Sequence, residues 1–575
     1  MKGRLFNLPG ILPVQLLPGF LTLIFLPTLS AQNLEKIGKK DMVTISGGLN
    51  FNTIFYDAQG MEERRDPLTW FMSGNVNVTL LDVSLPFTFT YTNNRGTYSQ
   101  PFNMQSVHPK YKWIQGHFGI TSMSFSPYTL NGHVFAGGGI ELTPNGFYFG
   151  AMYGRLKKAV EPNIIDNSYE GISYRRTGAA LKLGFDKDGR TLAVSWLTAK
   201  DDIASLLFVP ADADLTPQQN SAIGLSGKIR LWEKISAEGE FGWSGLTRNM
   251  QAEAISTEFS GIEKWLLPTK TTTQFFKAWK GSLTYATKLF SIAVKHEHVD
   301  PDYQTFGAYY FANDLENWTL APSFRLLKGK LSVGLNTGIQ RNNLDQTKLS
   351  TAHRWVGSVN VSASPVKWLM LTAAYSNFTS YTNRRPQTDP FWQPSPTDTL
   401  SFYQVAQQAN GNAVISFGSK NVKHSISVLT NFQVSRQQQS TSVQPGMHVM
   451  SENLSWTIQL VPRHISVSAL GNYTVTETGI IRTVFFGPGM QLSRSKESWR
   501  LAAGSIYNRS IANGDLAAQV FSHRASCGFT PKMKSKKYGR PSASCNAVFV
   551  QKLPALATEN TTGELTVTVN LAYGF

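Results

Sequence analysis

Residues Leu565–Phe575 read LTVTVNLAYGF, and the alternation in this stretch decides the fold. Leu565, Val567, Val569, Leu571, Tyr573 and Phe575 share one face of an extended chain; Thr566, Thr568, Asn570, Ala572 and Gly574 share the other. Successive side chains of a strand point to opposite sides, so this is a ribbon with an apolar face and a small, polar face. A strand that separates lipid from a wet interior needs that composition.

The same two-faced pattern recurs upstream. Val43, Ile45, Leu49, Phe51 and Phe55 alternate with Thr44, Ser46, Asn50 and Asn52. Leu68, Trp70, Met72, Val76, Val78 and Leu80 are followed, after Leu81-Asp82, by Val83, Leu85, Phe87, Phe89 and Tyr91. Two matched strands of about ten residues joined by a minimal turn are a barrel hairpin signature. Pro86 interrupts the second of them, where its missing N–H removes a ladder bond unless it faces a bulge or an edge. Short turn signals continue at Thr143–Gly146, Asp186–Gly189, Trp232–Lys234, Lys328–Lys330, Gly418–Asn421 and Pro462–His464. Their Gly, Asn and Asp residues tolerate the positive φ such turns require. Longer polar stretches lie between them, at Glu161–Glu170, Asp201–Asn220, Arg248–Thr273, Arg384–Thr399 and Gln437–Met447.

This texture predicts an all-β protein, a single transmembrane antiparallel β-barrel of about 24 strands (about 22–26) with short periplasmic turns and longer external loops. The barrel is expected to occupy residues 42–575, with the last strand closing against Val43–Phe55. The basic stretch within Ala525–Ala555, carrying Lys532, Lys534, Lys536, Lys537 and Arg540, reads as an external loop between two late strands.

The N-terminus reads as a processing segment. Lys2 and Arg4 precede the mostly apolar Leu17–Leu29, and Leu29-Ser30-Ala31 has the small residues of a cleavage site, so residues 1–31 are expected to be a secretory signal peptide. A short tail, 32–41, follows; it is too short for a folded plug or a periplasmic repeat domain. Past residue 31 there is no run of the roughly 18 apolar residues that a spanning helix needs. The expected location is the cell outer membrane, reached through the inner membrane with the signal peptide removed.

The 575 residues carry a net charge of +17, or +15 once Lys2 and Arg4 are removed. The basic residues are scattered along the chain rather than gathered in one block, which argues against nucleic acid and toward anionic envelope partners such as lipopolysaccharide. Cys527 and Cys545 are the two cysteines, too few for a disulfide scaffold in a chain this long; a bridge between neighbouring strands and two free thiols are both open.

His296-Glu297-His298 places two imidazoles on one face of a strand, a pair that lacks the further ligands of a metal site. No GxSxG, P-loop, dinucleotide or paired-cysteine motif occurs. The expectation is a non-enzyme with no catalytic residue, metal or cofactor. Trp70, Trp232, Trp243, Trp279, Trp318 and Trp368 are candidates for the interfacial girdles of a barrel. Charge on the lipid face costs about 2–4 kcal/mol at mid-membrane. That penalty assigns Lys182, Lys228, Arg230, Lys280, Lys295 and Arg325 to the lumen, with Glu238, Glu240 and Glu297 on neighbouring strands as partners.

Two stretches carry resemblances. The face Leu565, Val567, Val569, Leu571, Tyr573 and Phe575, ending on an aromatic terminus, resembles the C-terminal signal by which bacterial outer-membrane barrels are recognised for assembly. Val299-Asp300-Pro301-Asp302-Tyr303, Thr305–Tyr310, Asn313–Asn317 and Gln340–Leu344 resemble a group of large Bacteroidota outer-membrane barrels of unassigned function, and Gln32 directly after the cut resembles secreted proteins of the Bacteroidota. The resemblance implies the barrel, the assembly machinery as a partner, and contact with outer-membrane lipid and lipopolysaccharide; it brings no mechanism. The expected role is a channel or passive transporter for anionic or glycan-like solutes. The alternative is a barrel component of a secretion, gliding or surface-attachment machine working through envelope protein partners.

Overall fold

The computed structural model describes residues 43–575 apart from 81, 94–103, 163–170, 211–212, 214, 256–260, 310–312, 348–352, 378–379, 382–403, 437, 440–441, 444–445, 533–538 and 555–559. The expected signal peptide and tail, and the stretch Arg384–Thr399, lie outside the described residues.

Each strand pairs antiparallel with the next in the chain, and the last returns to the first. Thr562–Gly574 lies against Val43–Gln59 in a register that sets Leu49 opposite Tyr573 and Asn52 opposite Asn570. Gly47 and Phe575 exchange both backbone hydrogen bonds at the end of this seam, at 2.8 and 3.0 Å. The sheet is a closed barrel of 26 staves, which removes every sheet edge. Two staves are broken, one into Met104–Val107 and Lys110–Tyr111, the other into Leu369–Ser376 and Ser380–Tyr381. The first break explains Pro86. With no N–H to give, Pro86 faces His108-Pro109, and the His108 N–H returns to the Pro86 carbonyl at 2.8 Å.

The apolar faces read from the sequence point outward. Leu183, Leu192, Leu454 and Leu492 are each more than half exposed although they sit in mid-strand. Leucines in that condition, repeated around the wall, are compatible only with a lipid surround. Aromatic rings bound the belt at both ends. Trp70, Trp243, Trp279, Trp318 and Trp355 sit toward the loop rim, and Trp113, Trp232, Trp368 and Trp499 toward the turn rim. Among the described residues no helix is long and apolar enough to cross a membrane.

Two readings of the connections change. The segment between Asp515–Phe529 and Arg540–Leu553 is not on the loop rim: Thr530 N–H donates to Ser498 O at 2.7 Å, and Arg540 pairs with Gly574. Its ends therefore lie beside the tight turn Glu497-Ser498 and the C-terminus, so it belongs to the turn rim. Stave parity decides this, and two unexpectedly tight connections, Gly479-Ile480 and Asn513-Gly514, sit on the loop rim where long ones were expected.

Cys527 and Cys545 are directly opposite each other in that register, on the outward face with Leu501 and Val569, and are not bridged. Directly opposed antiparallel residues have Cα atoms about 4.5–5.5 Å apart, inside the range of a disulfide. Mild oxidation of the folded protein is expected to join them, seen as loss of two hydrogens in the intact mass. Two thiols that remain separately alkylatable after oxidation would show a different register.

Candidate functional site: a lumen closed on one side

The wall between Ile114 and Val299 is lined on its inner face by unusually small residues. Gly150, Gly178, Ala180, Ala222, Gly224 and Gly242 alternate with outward Leu181, Leu183, Ile223, Leu225 and Phe241. Missing side chains here leave room, and two connections fill it. Phe125–Leu130 and the segment following Val299 turn into the barrel instead of standing above it. Phe125, Tyr128, Leu130, Tyr303 and Phe306 are almost fully buried and join Phe135, Met152, Leu156, Leu197 and Leu246 of the wall in one core. The approach is as close as glycine permits: a Cβ on Gly242 would lie 2.4 Å from the Tyr128 Cβ, and one on Gly307 2.3 Å from the Thr129 carbonyl.

Hydrogen bonds lock the two segments together. Tyr303 Oη donates to Tyr128 O at 2.8 Å, and Thr305 Oγ1 to Thr129 O at 2.7 Å. The Asn131 N–H reaches Gly307 O at 2.8 Å, and Tyr309 stacks on His133 at 4.2 Å. Burial pushes the Tyr303 phenol far above its ordinary range, so it stays a neutral donor. Asn220, wholly buried, ties the segments to the wall: its Nδ2 donates to Ser244 Oγ and Gly245 O at 2.8 and 2.9 Å, and its Oδ1 accepts the Phe306 N–H at 3.0 Å. Arg176 lays its guanidinium 3.4 Å from the Phe306 ring centre and forks onto Asp201 at 2.7 and 2.9 Å. Of the two inward folds, the one following Val299 is the larger among the described residues.

The register places Lys182, Lys228, Arg230, Lys280, Lys295 and Arg325 on the inner face, opposite Ser195, Glu238, Ser236, Glu240, Ser282 and Ser332 respectively. They do not act alike. Lys182 donates to the Phe125 carbonyl at 2.7 Å and so serves the inward fold. Lys228 faces Glu238 at 3.8 Å and Lys280 faces Glu240 at 3.3 Å, with Glu297 next in the same row. These groups, with Lys295, Asn317 and Asn336, line a hollow of about 550 Å³ against the wall. Three lysines and three glutamates make its charge cancel. Arg230 and Arg325 lie at the turn end.

A second polar chain runs along the inner face near the broken stave. Thr88 and Ser106 share a 2.7 Å hydrogen bond, Ser106 Oγ meets His108 Nε2 at 3.0 Å, and His108 Nδ1 meets His117 Nδ1 at 3.0 Å. Glu141 lies 3.5 Å beyond His117 and accepts from Tyr148 at 2.8 Å. Serine, imidazole and carboxylate occur here in the order of a nucleophile relay. The serine is 7% exposed and held from its other side by Thr88, so the chain satisfies buried wall groups.

The pair His296 and His298 points outward. His298 stacks on Trp279 at 4.0 Å, and His296 lies 4.1 Å from the Trp318 ring centre and 3.3 Å from Glu316. It belongs to the loop-side girdle. Among the described residues no group of three or more His, Cys, Asp or Glu side chains is arranged to hold a metal ion.

The remaining inner wall is rich in carboxamides and carries few charges, among them Arg524, opposite Gly504 and Val548, and toward the turn end Lys423 and Arg500. Asn410 opposes Asn431, and Asn453 opposes Asn472. Asn472 donates to Asn508 at 2.8 Å, and Asn570 to Asn52 across the closing seam at 2.6 Å. The shielded Oδ1 atoms of Asn317, Asn336, Asn431 and Asn472 have no protein partner. Beyond Phe306 the buried apolar residues among those described are Val356 and Val434. Among the described residues the core therefore covers one side of the lumen, and on the carboxamide side the buried apolar residues are few, Ile54, Tyr56, Val356 and Val434. Sequence reasoning found the cations but missed the inward folds; the run of inner-face glycines and alanines was the available signal.

No protein-family model matches this chain, and no curated protein matches it. Several solved structures share an overall likeness. A mutant of the ferric enterobactin receptor from Pseudomonas aeruginosa aligns over 92% of this chain and 80% of its own, at 10% identity and a TM-score of 0.35. OccK3 from Pseudomonas aeruginosa aligns over 94% and 100%, at 7% identity and 0.31. OccAB3 from Acinetobacter baumannii aligns over 69% and 99%, at 11% identity and 0.29.

Proposed function

We propose that this chain is an outer-membrane channel or passive transporter for polar solutes of little net charge, glycan-like solutes foremost. One observation carries the reading: the inward folds cover one side of the lumen, and the described residues of the other side are mostly carboxamides and hydroxyls, with few charges. Such groups offer donors and acceptors to a polyhydroxylated solute without the desolvation cost of a charged wall. The pairing of Lys228 and Lys280 with Glu238 and Glu240 argues against a strongly anion-selective path. Among the described lumen residues none poises a nucleophile toward a substrate.

Single-channel recording in planar bilayers tests this. Conductance is expected, with a weak anion preference from Arg230, Arg325, Arg500 and Arg524 that disappears at 1 M salt, where screening acts within about 3 Å. Liposomes carrying the protein should swell in neutral oligosaccharides. Absence of both conductance and swelling would refute the channel; co-purifying envelope proteins would then favour the machine-component reading. Replacing Glu240 and Glu297 together by Gln leaves the lysines of the hollow unbalanced and should raise the anion preference several-fold at low salt, by removal of opposing charge in a confined space. An unchanged reversal potential would place the hollow off the conducting path.

A further inference from the structure

The basic residues that look scattered in the sequence converge on one rim. Five successive turn-rim connections, from Leu327 to Ser498, each carry exposed cations in or beside the turn: Lys328 and Lys330, Lys367, Lys420, Arg463 and Lys496. Glu497 is the single acidic residue in these turns. Two connections elsewhere on the same rim carry mixed signs, Asp186, Lys187, Asp188 and Arg190 in one, Glu233 and Lys234 in the other. The loop rim differs again. Six arginines there are paired: Arg64 with Glu564, Arg175 with Asp202, Arg176 with Asp201, Arg248 with Asp302, Arg341 with Glu316 and Arg482 with Glu477. Among the described residues none of the six cations of the turn arc has a carboxylate within 4 Å.

The level of this arc is set by its neighbours. Trp368, Phe417 and Trp499 are about half exposed, and Leu327 more so, within three residues of the cations. Aromatic rings in that position anchor at the membrane–water boundary, and long cationic side chains beside them reach the headgroups.

We propose that the arc from Lys328 to Lys496 binds the anionic headgroups of phospholipids in the leaflet that meets the turn rim. Its chemistry is that of phosphodiester oxygens meeting unpaired ammonium and guanidinium groups. Like Proposed function, the inference rests on the membrane-spanning reading, but it does not require a conducting lumen.

The test is lipid enrichment around the folded full-length protein. The protein is reconstituted in vesicles of equal phosphatidylglycerol and phosphatidylethanolamine, extracted in small lipid discs, and the retained lipids are counted by mass spectrometry. The wild type should retain phosphatidylglycerol over phosphatidylethanolamine by at least about fivefold, the effect of one cation at an anionic surface. The combined variant K328Q/K330Q/K367Q/K420Q/K496Q should lose that enrichment, whereas the same five sites as Arg and the loop-rim variant R64Q/R482Q should keep it. Heat-modifiable migration establishes that each variant is a closed barrel. If the glutamine variant does not fold, the wild type decides the matter alone: its enrichment must fall at 1 M salt and survive free glycerol phosphate. Enrichment that is unchanged in the glutamine variant, insensitive to salt, or removed by free glycerol phosphate overturns the proposal. So does an acidic protein that co-isolates with the arc in the absence of lipid enrichment.

Discussion

Arg176→Ala is expected to be the most destabilising single substitution in the barrel wall, lowering stability by about 3–5 kcal/mol. Arg176 and Asp201 keep only 15% and 4% of their side chains exposed. Removing the guanidinium leaves the shielded Asp201 carboxylate without its hydrogen-bonded partner, with only the more distant Lys157 as a cation, and it also removes the cation over the Phe306 ring and the bond to Gln218 Oε1. The Gln218 N–H remains as a neutral donor to Asp201 and recovers little of the loss. Urea unfolding of the protein in detergent, followed by the heat-dependent gel shift, measures this. The double variant Arg176→Ala with Asp201→Ala should be more stable than Arg176→Ala alone, since the buried charge is then gone. A single variant that unfolds with the wild type would mean that water reaches the pair freely.

Gly242→Leu is expected to expel Tyr128 from the wall and at least double the single-channel conductance, with increased current noise. A leucine there has no space to enter except by moving Phe125–Leu130, because the Tyr128 Cβ and ring and the Tyr303 hydroxyl already lie within 3 Å of any Cβ. Overpacking of this kind costs about 1–3 kcal/mol when the structure must hold it. Here a cheaper response exists: the inward segments detach, and the outer wall, built from inter-strand hydrogen bonds, stays closed. Gly334→Leu is the control. It lies on the same inner face, opposite Asn360, and a Cβ there meets nothing within 4 Å. Equal conductance of the two variants would show that the inward folds do not narrow the conducting path.

The fold was legible where the physics is local. Alternation along Val43–Gln59 or Thr562–Gly574 needs no partner to be read, and lipid forces it on every stave. The outward tryptophans were legible for the same reason. The location of Lys532 and Arg540 was not. Their rim depends on the parity of all preceding staves, and the tight connections Gly479-Ile480 and Asn513-Gly514 remove loop length as a guide. The seam was readable from both its strands, and Asn52 bonding Asn570 across 518 residues is its side-chain signature on the inner face.

The lumen shows the division most sharply. Lys182, Lys228, Lys280 and Lys295 were assignable inward from the cost of charge in lipid alone. What each one meets was not assignable: Lys228 and Lys280 meet carboxylates of the next stave, while Lys182 meets the backbone of a connection more than fifty residues earlier. Tyr303 with Tyr128, and Thr305 with Thr129, are joined across 175 and 176 residues. The sequence by itself determined which face of each strand meets lipid, because a period of two and the penalty for exposing charge or apolar surface act residue by residue. Only the tertiary structure decided that two connections fold inward, that the core covers one side of the lumen, and that dispersed lysines gather on one rim. Those outcomes depend on barrel closure, which sets distant turns side by side and leaves the inner-face glycines a space that only chain from elsewhere can fill.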